Sequence, residues 1–77
     1  MEYIIATIKD QPNLDAEVLI NRQTNGRTGV LLTLGGPGSI LVSVNSPGAQ
    51  EQKVLVKNTT PLHPMQVVIA CQMKSSA

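Results

Sequence analysis

Cys71 and His63 are the only cysteine and the only histidine of this sequence, and both are side chains that catalysts and zinc sites use. A thiol nucleophile needs a base within hydrogen-bonding reach, and a structural zinc ion takes four ligands, mostly from cysteine and histidine. His63 lies beside Pro64 in a proline-limited link, whereas Cys71 lies in an alternating apolar run. We therefore predict a surface-loop histidine and an inward-facing cysteine, with no metal site and no enzymatic function.

A glycine-rich segment, Gly35-Gly36-Pro37-Gly38, has residue types that could surround a phosphate. Such loops bind the anion through backbone amides at the start of a helix, and the nucleotide-binding version continues with Lys and then Ser or Thr. Here Gly38 is followed by Ser-Ile-Leu-Val, a run typical of a strand. We predict a hairpin turn in which the glycines supply positive φ, and no cofactor site.

Alternating apolar residues predict six strands, at residues 2–9, 16–22, 28–34, 40–44, 52–57 and 65–73. The connections contain glycine, proline and asparagine, and Asn25-Gly26 is a strong signal for a two-residue hairpin turn. The expected fold is all-β: one domain over residues 1–77, folded as a small antiparallel six-stranded sandwich or partly open barrel built from hairpins.

Alternation also predicts which side chains point inward. Val30, Leu32 and Leu34 share one face, opposite Ile40, Val42 and Val44 on the next strand, and the second, fifth and sixth strands continue this core. The opposite faces are polar, but nearly every one carries an aliphatic residue near its middle. If these residues lie close together, they form a second apolar patch, which we predict to be an interface: Leu19, Leu31, Leu41, Leu55 and Val68.

The composition indicates that a single copy has little material for a core. The chain has 77 residues, no Phe, no Trp and one Tyr, and its single cysteine allows no internal disulfide. Small domains without these supports often depend on association between chains. We therefore expect a structural subunit that associates with copies of itself or docks on a larger protein lattice, most concretely a virion component that decorates or cements a capsid. The expected location is the virion, after assembly in the cytoplasm, or otherwise the cytoplasm.

The alternative function is a small barrel that binds single-stranded nucleic acid. Arg22, Arg27, Lys53 and Lys57 could contact the backbone, but Tyr3 is the only aromatic side chain available for base stacking. A net charge of +1 also predicts weak attraction for nucleic acid, so this partner is possible but not favoured. The sequence has no apolar run of about 18 residues, and we expect no membrane association.

Overall fold

The computed structural model describes residues 1–11 and 13–71, which form a β-sandwich. Within these residues, seven strands follow one another along the chain. They form a three-stranded sheet in the order β4-β1-β7 and a four-stranded sheet in the order β3-β2-β5-β6, and the two sheets do not close into a barrel. The strands are β1 (Glu2–Ile8), β2 (Glu17–Ile20), β3 (Gln23–Arg27), β4 (Leu32–Leu34), β5 (Gly38–Val44), β6 (Gln52–Val56) and β7 (Met65–Ile69).

The core is aliphatic and lies between the two sheets. In β1 every second side chain is buried, as expected for a strand with one face against a core. Both sheets contribute to a single cluster, so the predicted inward faces of β2, β6 and β7 are confirmed. Its buried members are Ile4, Ala6, Ile8, Ala16, Val18, Ile20, Leu32, Leu34, Val42, Val44, Val54, Val56, Val67 and Ile69, with Ile40, Met65 and Cys71 partly buried against them.

The expectation of a purely antiparallel fold is wrong, because β1 and β7 pair in parallel, from Ile4 beside Met65 to Ile8 beside Ile69. Parallel neighbours need a long crossover, and the chain between β1 and β7 contains the entire four-stranded sheet. The prediction of six strands is also wrong, because β3 was interpreted as a turn. Residues 72 and 73, the last two of the predicted strand 65–73, lie outside the described residues.

The glycine-rich segment is not a hairpin turn. β4 pairs with β1, whereas β5 pairs with β2 and β6, so Gly35–Gly38 carries the chain from one sheet to the other. Of its glycines only Gly38 has a positive φ, at 146°. The prediction that a strand follows it is confirmed. Val30, predicted to be in the core, is 52 % exposed, because the chain turns at residues 28–30 before β4 begins.

The hairpin turn predicted at Asn25-Gly26 lies elsewhere. Ile20 pairs with Gln23, so the turn consists of Asn21 and Arg22, which have φ values of 49° and 69°. Positive φ at both central residues is the geometry that matches the twist of a two-residue hairpin. Gly26 instead lies within β3, with φ 77°, where the register with β2 shifts at a bulge.

Candidate assembly surface

Within the described strands β1, β4 and β7, the outer face of the three-stranded sheet carries no charged side chain. Its outward positions are half-buried or exposed, and the β-ladders place Tyr3 beside Thr33, Ile5 beside Gln66, and Thr7 beside Val68. Leu31 lies directly before β4, two residues before Thr33, and is 40 % exposed, while Val68 is 47 % exposed. We call this surface the uncharged face: Tyr3, Ile5, Thr7, Leu31, Thr33, Gln66 and Val68.

The uncharged face shares two features with the buried centres of protein interfaces. Charged residues are depleted and aromatic residues enriched at the buried centre of protein interfaces. This face contains the only aromatic residue of the chain, although 11 of the 77 residues, six basic and five acidic, are charged. A partner could therefore cover it without desolvating an ion.

The outer face of the four-stranded sheet carries three of the predicted interface residues. Leu19 pairs with Ser43, Leu41 pairs with Lys53, and Ser39 pairs with Leu55. Leu19, Leu41 and Leu55 therefore form a diagonal row, which we call the leucine row. Leu55 is 55 % exposed, whereas Leu19 and Leu41 are half-buried.

An ion pair crosses this outer face. Arg22 follows β2 and Glu51 precedes β6, and β5 lies between those strands, so their contact spans β5. The guanidinium donates to both carboxylate oxygens of Glu51, with Nε at 3.0 Å from Oε2 and a terminal nitrogen at 3.3 Å from Oε1. These hydrogen bonds lower the pKa of Glu51 and raise the pKa of Arg22. Ser43 is only 8 % exposed although it lies on this outer face.

A second ion pair lies near the edge of the same sheet. Arg27 Nε donates to Asp15 Oδ1 over 2.7 Å, and both side chains are more than half exposed. The hydrogen bond lowers the pKa of Asp15 and raises the pKa of Arg27. The leucine row therefore has ionic neighbours that the uncharged face lacks.

The five predicted interface residues do not form one patch. Leu19, Leu41 and Leu55 lie on the outer face of the four-stranded sheet, whereas Leu31 and Val68 belong to the uncharged face of the other sheet. Their role at an interface stays a prediction. Sequence reasoning did not include Tyr3 and Ile5, and the alternation of β1 was the signal that could have identified them.

A hydrogen-bonded clip joins the start of β1 to the connection between β6 and β7. Thr59 donates to Glu2 Oε1 through its backbone amide, at 2.9 Å, and through its hydroxyl, at 2.5 Å. The Tyr3 amide donates to the same hydroxyl oxygen over 2.7 Å. The two bonds from Thr59 favour the ionised carboxylate and lower the pKa of the buried Glu2. The clip therefore supplies hydrogen bonds to an inward-facing carboxylate that lies beside the uncharged face.

The structure does not bring Cys71 and His63 together. His63 precedes β7 and Cys71 follows it, and this five-residue strand alone spans roughly 16 Å. The thiol is half-buried against the core, as predicted, and His63 is exposed in a turn closed on Thr60. The described part of the chain contains neither a pocket nor a group of potential metal ligands. No helix among the described residues has both the length and the apolar character that crossing a membrane requires.

The residues considered for nucleic acid binding lie on different sheets. The basic residues belong to the four-stranded sheet or lie next to its strands: Arg27 in β3, Lys53 in β6, Arg22 in the turn after β2, and Lys57 directly after β6. Tyr3 lies on the uncharged face of the other sheet. Both arginines already have carboxylate partners. Comparisons with protein-family models, curated proteins and solved structures found no match to this chain.

Proposed function

We propose that this chain is a structural subunit that assembles with copies of itself by burying the uncharged face. The observation that carries the proposal is that all the outward positions of the described strands β1, β4 and β7 are uncharged. They include the aliphatic residues Ile5 and Val68 and the aromatic residue Tyr3. Two such faces can pack as stacked sheets do in β-sandwiches, about 10 Å apart. Because neither carries a charge, their contact has no repulsion between like charges to overcome.

The chain's own core supports the same proposal. The buried cluster is made of Ile, Leu, Val and Ala side chains, without an aromatic residue. Aromatic side chains bury roughly 150–250 Å² each, so a core without them removes less surface from water. Burial of the uncharged face between copies adds apolar contact area that a single copy lacks.

A lysine on the uncharged face tests the proposal. Thr33 is exposed on β4, and its side chain has no hydrogen bond with any of the residues that the structure describes, so Thr33→Lys should preserve the fold while placing a cation in the contact. We expect its dissociation constant to rise by about tenfold or more, because a buried unpaired charge is costly. Light scattering coupled to size-exclusion chromatography over a range of concentrations measures the change.

Leu55→Lys is the matched control, because Leu55 is exposed on the outer face of the other sheet. We expect it to assemble like the wild-type chain. If Leu55→Lys dissociates the assembly and Thr33→Lys does not, the leucine row is the contact surface and the uncharged face is not. Oligonucleotide binding that weakens steeply with salt, by a chain that stays monomeric, would instead favour the nucleic-acid alternative.

The most concrete setting of this proposal is a virion, in which the subunit decorates or cements the capsid. A small, nearly neutral chain with an uncharged outer face is suited to filling contacts between larger subunits. In that setting the chain should co-purify with virus particles in a fixed stoichiometry, measured by quantitative mass spectrometry. Virus particles that lack the chain would contradict the virion setting. They would not contradict self-assembly, which the two variants above test separately.

A further inference from the structure

Four strands lie at the edges of the two described sheets, and three of them have features that hinder pairing with another chain. β4 has only three residues, β3 contains a bulge, and β6 has an outward lysine, Lys53, with Lys57 directly after its end. Short strands, bulges and lysines are the usual protections of sheet edges. β7 has five residues, Met65–Ile69, with no charge, proline, glycine or bulge.

The backbone of β7 shows which groups its edge offers. The carbonyl of Ile69 accepts from the Lys9 amide over 2.9 Å, so Ile69 directs its backbone groups toward β1. Since this direction alternates along a strand, Val67 and Met65 do the same, whereas Gln66 and Val68 direct theirs away from β1. The Ala70 carbonyl, next in the alternation, accepts from the Gln50 amide over 3.0 Å on that outer side, where Ala49 also forms a bridge with Cys71. The part of the edge that this chain leaves unpaired therefore ends before Ala70. Among the described residues, no backbone partner is found for the edge groups of Gln66 and Val68.

We infer that the free edge of β7 pairs with β7 of a second copy, antiparallel and across a two-fold axis at Val67. This register places Gln66 opposite Val68 of the partner subunit, and both residues have their backbone groups directed outward. They therefore form the hydrogen-bonded kind of antiparallel pair, while Val67, directed toward β1, falls in the non-hydrogen-bonded position at the centre. The same register sets the inward side chain of Met65 opposite Ile69 of the partner subunit.

A second copy is the partner that fits this edge because the strand is complementary to itself. None of the side chains of β7 is charged, so antiparallel self-pairing brings no like charges together. The pairing also joins two uncharged faces edge to edge into one continuous surface. The inference rests on the proposed function and extends it, since an assembly larger than a dimer needs a second contact besides the packing of uncharged faces.

Gln66→Pro is the direct test, because proline removes the outward amide of Gln66, which the ladder with β1 does not use. Gln66→Thr is the matched control, since it changes the side chain and keeps the amide. We expect the wild-type chain and Gln66→Thr to form assemblies larger than a dimer, and Gln66→Pro to stop at dimers held by the uncharged face. Thr33→Lys should stop at dimers held by the β7 edge, and the double variant should be monomeric by light scattering.

Amide hydrogen exchange of the wild-type chain tests the edge without any substitution. The amides of Gln66 and Val68 should become protected as the protein concentration rises, whereas those of Val67 and Ile69 should be protected at every concentration. Fast exchange at Gln66 and Val68 in the assembled protein, or a Gln66→Pro assembly as large as wild type, would overturn the edge contact alone. If Gln66→Pro dissociates the assembly and Thr33→Lys does not, the proposed contact between uncharged faces is wrong, while the contact at the β7 edge is retained. A wild-type chain that stays monomeric would overturn both.

Discussion

Thr28 is a buried polar residue whose hydrogen bonds connect two separate segments of the chain. Its hydroxyl donates to the Leu14 carbonyl over 2.7 Å and accepts from the Ala16 amide over 3.1 Å, and its own amide donates to the Ala16 carbonyl over 2.9 Å. The segment that leads into β2 is thereby tied to the turn that follows β3. A single side chain satisfies backbone groups that no β-ladder reaches.

Replacing Thr28 by valine should destabilise the fold by about 1–3 kcal/mol, because the shape is retained while the Ala16 amide loses its buried acceptor. Urea denaturation measures the change. The control is Thr24→Val, at an exposed position of β3, which should alter stability by no more than about 0.5 kcal/mol. Equal unfolding midpoints for the two variants would show that the Thr28 hydroxyl contributes nothing.

β3 illustrates how one residue decides the geometry of an element. Gly26 has a φ of 77°, and a Cβ at this position would overlap Cδ2 of the buried Leu32. The bulge between β2 and β3 therefore needs glycine for its backbone conformation and for the approach of the other sheet's side chain. The sequence shows the glycine clearly, but its position in a bulge depends on the register of β3 against β2.

Gly26→Ala should destabilise the fold by more than about 1 kcal/mol, because alanine disfavours positive φ and its methyl group meets Leu32. Gly36→Ala is the control, since Gly36 has no positive φ in the left-handed region and open space where a Cβ would lie. The control should be neutral or stabilising by about 0.4–1 kcal/mol. Thermal unfolding of both variants gives the comparison, and a stable Gly26→Ala would contradict the bulge geometry.

Across the whole molecule, three carboxylates connect separate elements. Glu2 holds the connection after β6, Asp15 pairs with Arg27 at the end of β3, and Glu51 reaches over β5 to Arg22. In each case hydrogen bonds to the carboxylate lower its pKa in the folded chain, below reference values of 4.5 for Glu2 and Glu51 and 3.8 for Asp15. The unfolded chain therefore binds protons at a higher pH than the folded chain does.

The stabilisation from these three carboxylates should consequently be fully present above their unfolded-state pKa values, at about pH 5 and higher, and be lost as the pH falls through their lowered pKa values in the folded state. Glu2→Gln should flatten part of this dependence, because Glu2 is the buried one of the three carboxylates, whereas Asp15 and Glu51 are exposed. Asp10→Asn, at an exposed turn, is the control and should retain the wild-type profile. Urea unfolding midpoints measured across this range test the prediction, and a profile unchanged by Glu2→Gln would contradict it.

The candidate surface was predictable only in part. Alternation identified outward aliphatic residues such as Leu55 and Val68, and both are exposed. It did not show that they belong to different sheets, because alternation assigns a side chain to one of two faces of its own strand and carries no information about the neighbouring strand. The absence of charge from a whole outer face became visible only when β4 and β7 were found on either side of β1.

By itself, the sequence determined that the chain is all-β, which residues of β2, β6 and β7 point inward, and that the core is aliphatic. These properties follow from the two-residue period of extended backbone and from composition, which are local. The tertiary structure alone decided the parallel pairing of β1 with β7, the passage of Gly35–Gly38 between sheets, and the turn at Asn21-Arg22. Backbone hydrogen-bonding groups are nearly the same in every residue, so strand partners are selected by packing across the sandwich rather than by any short stretch of sequence.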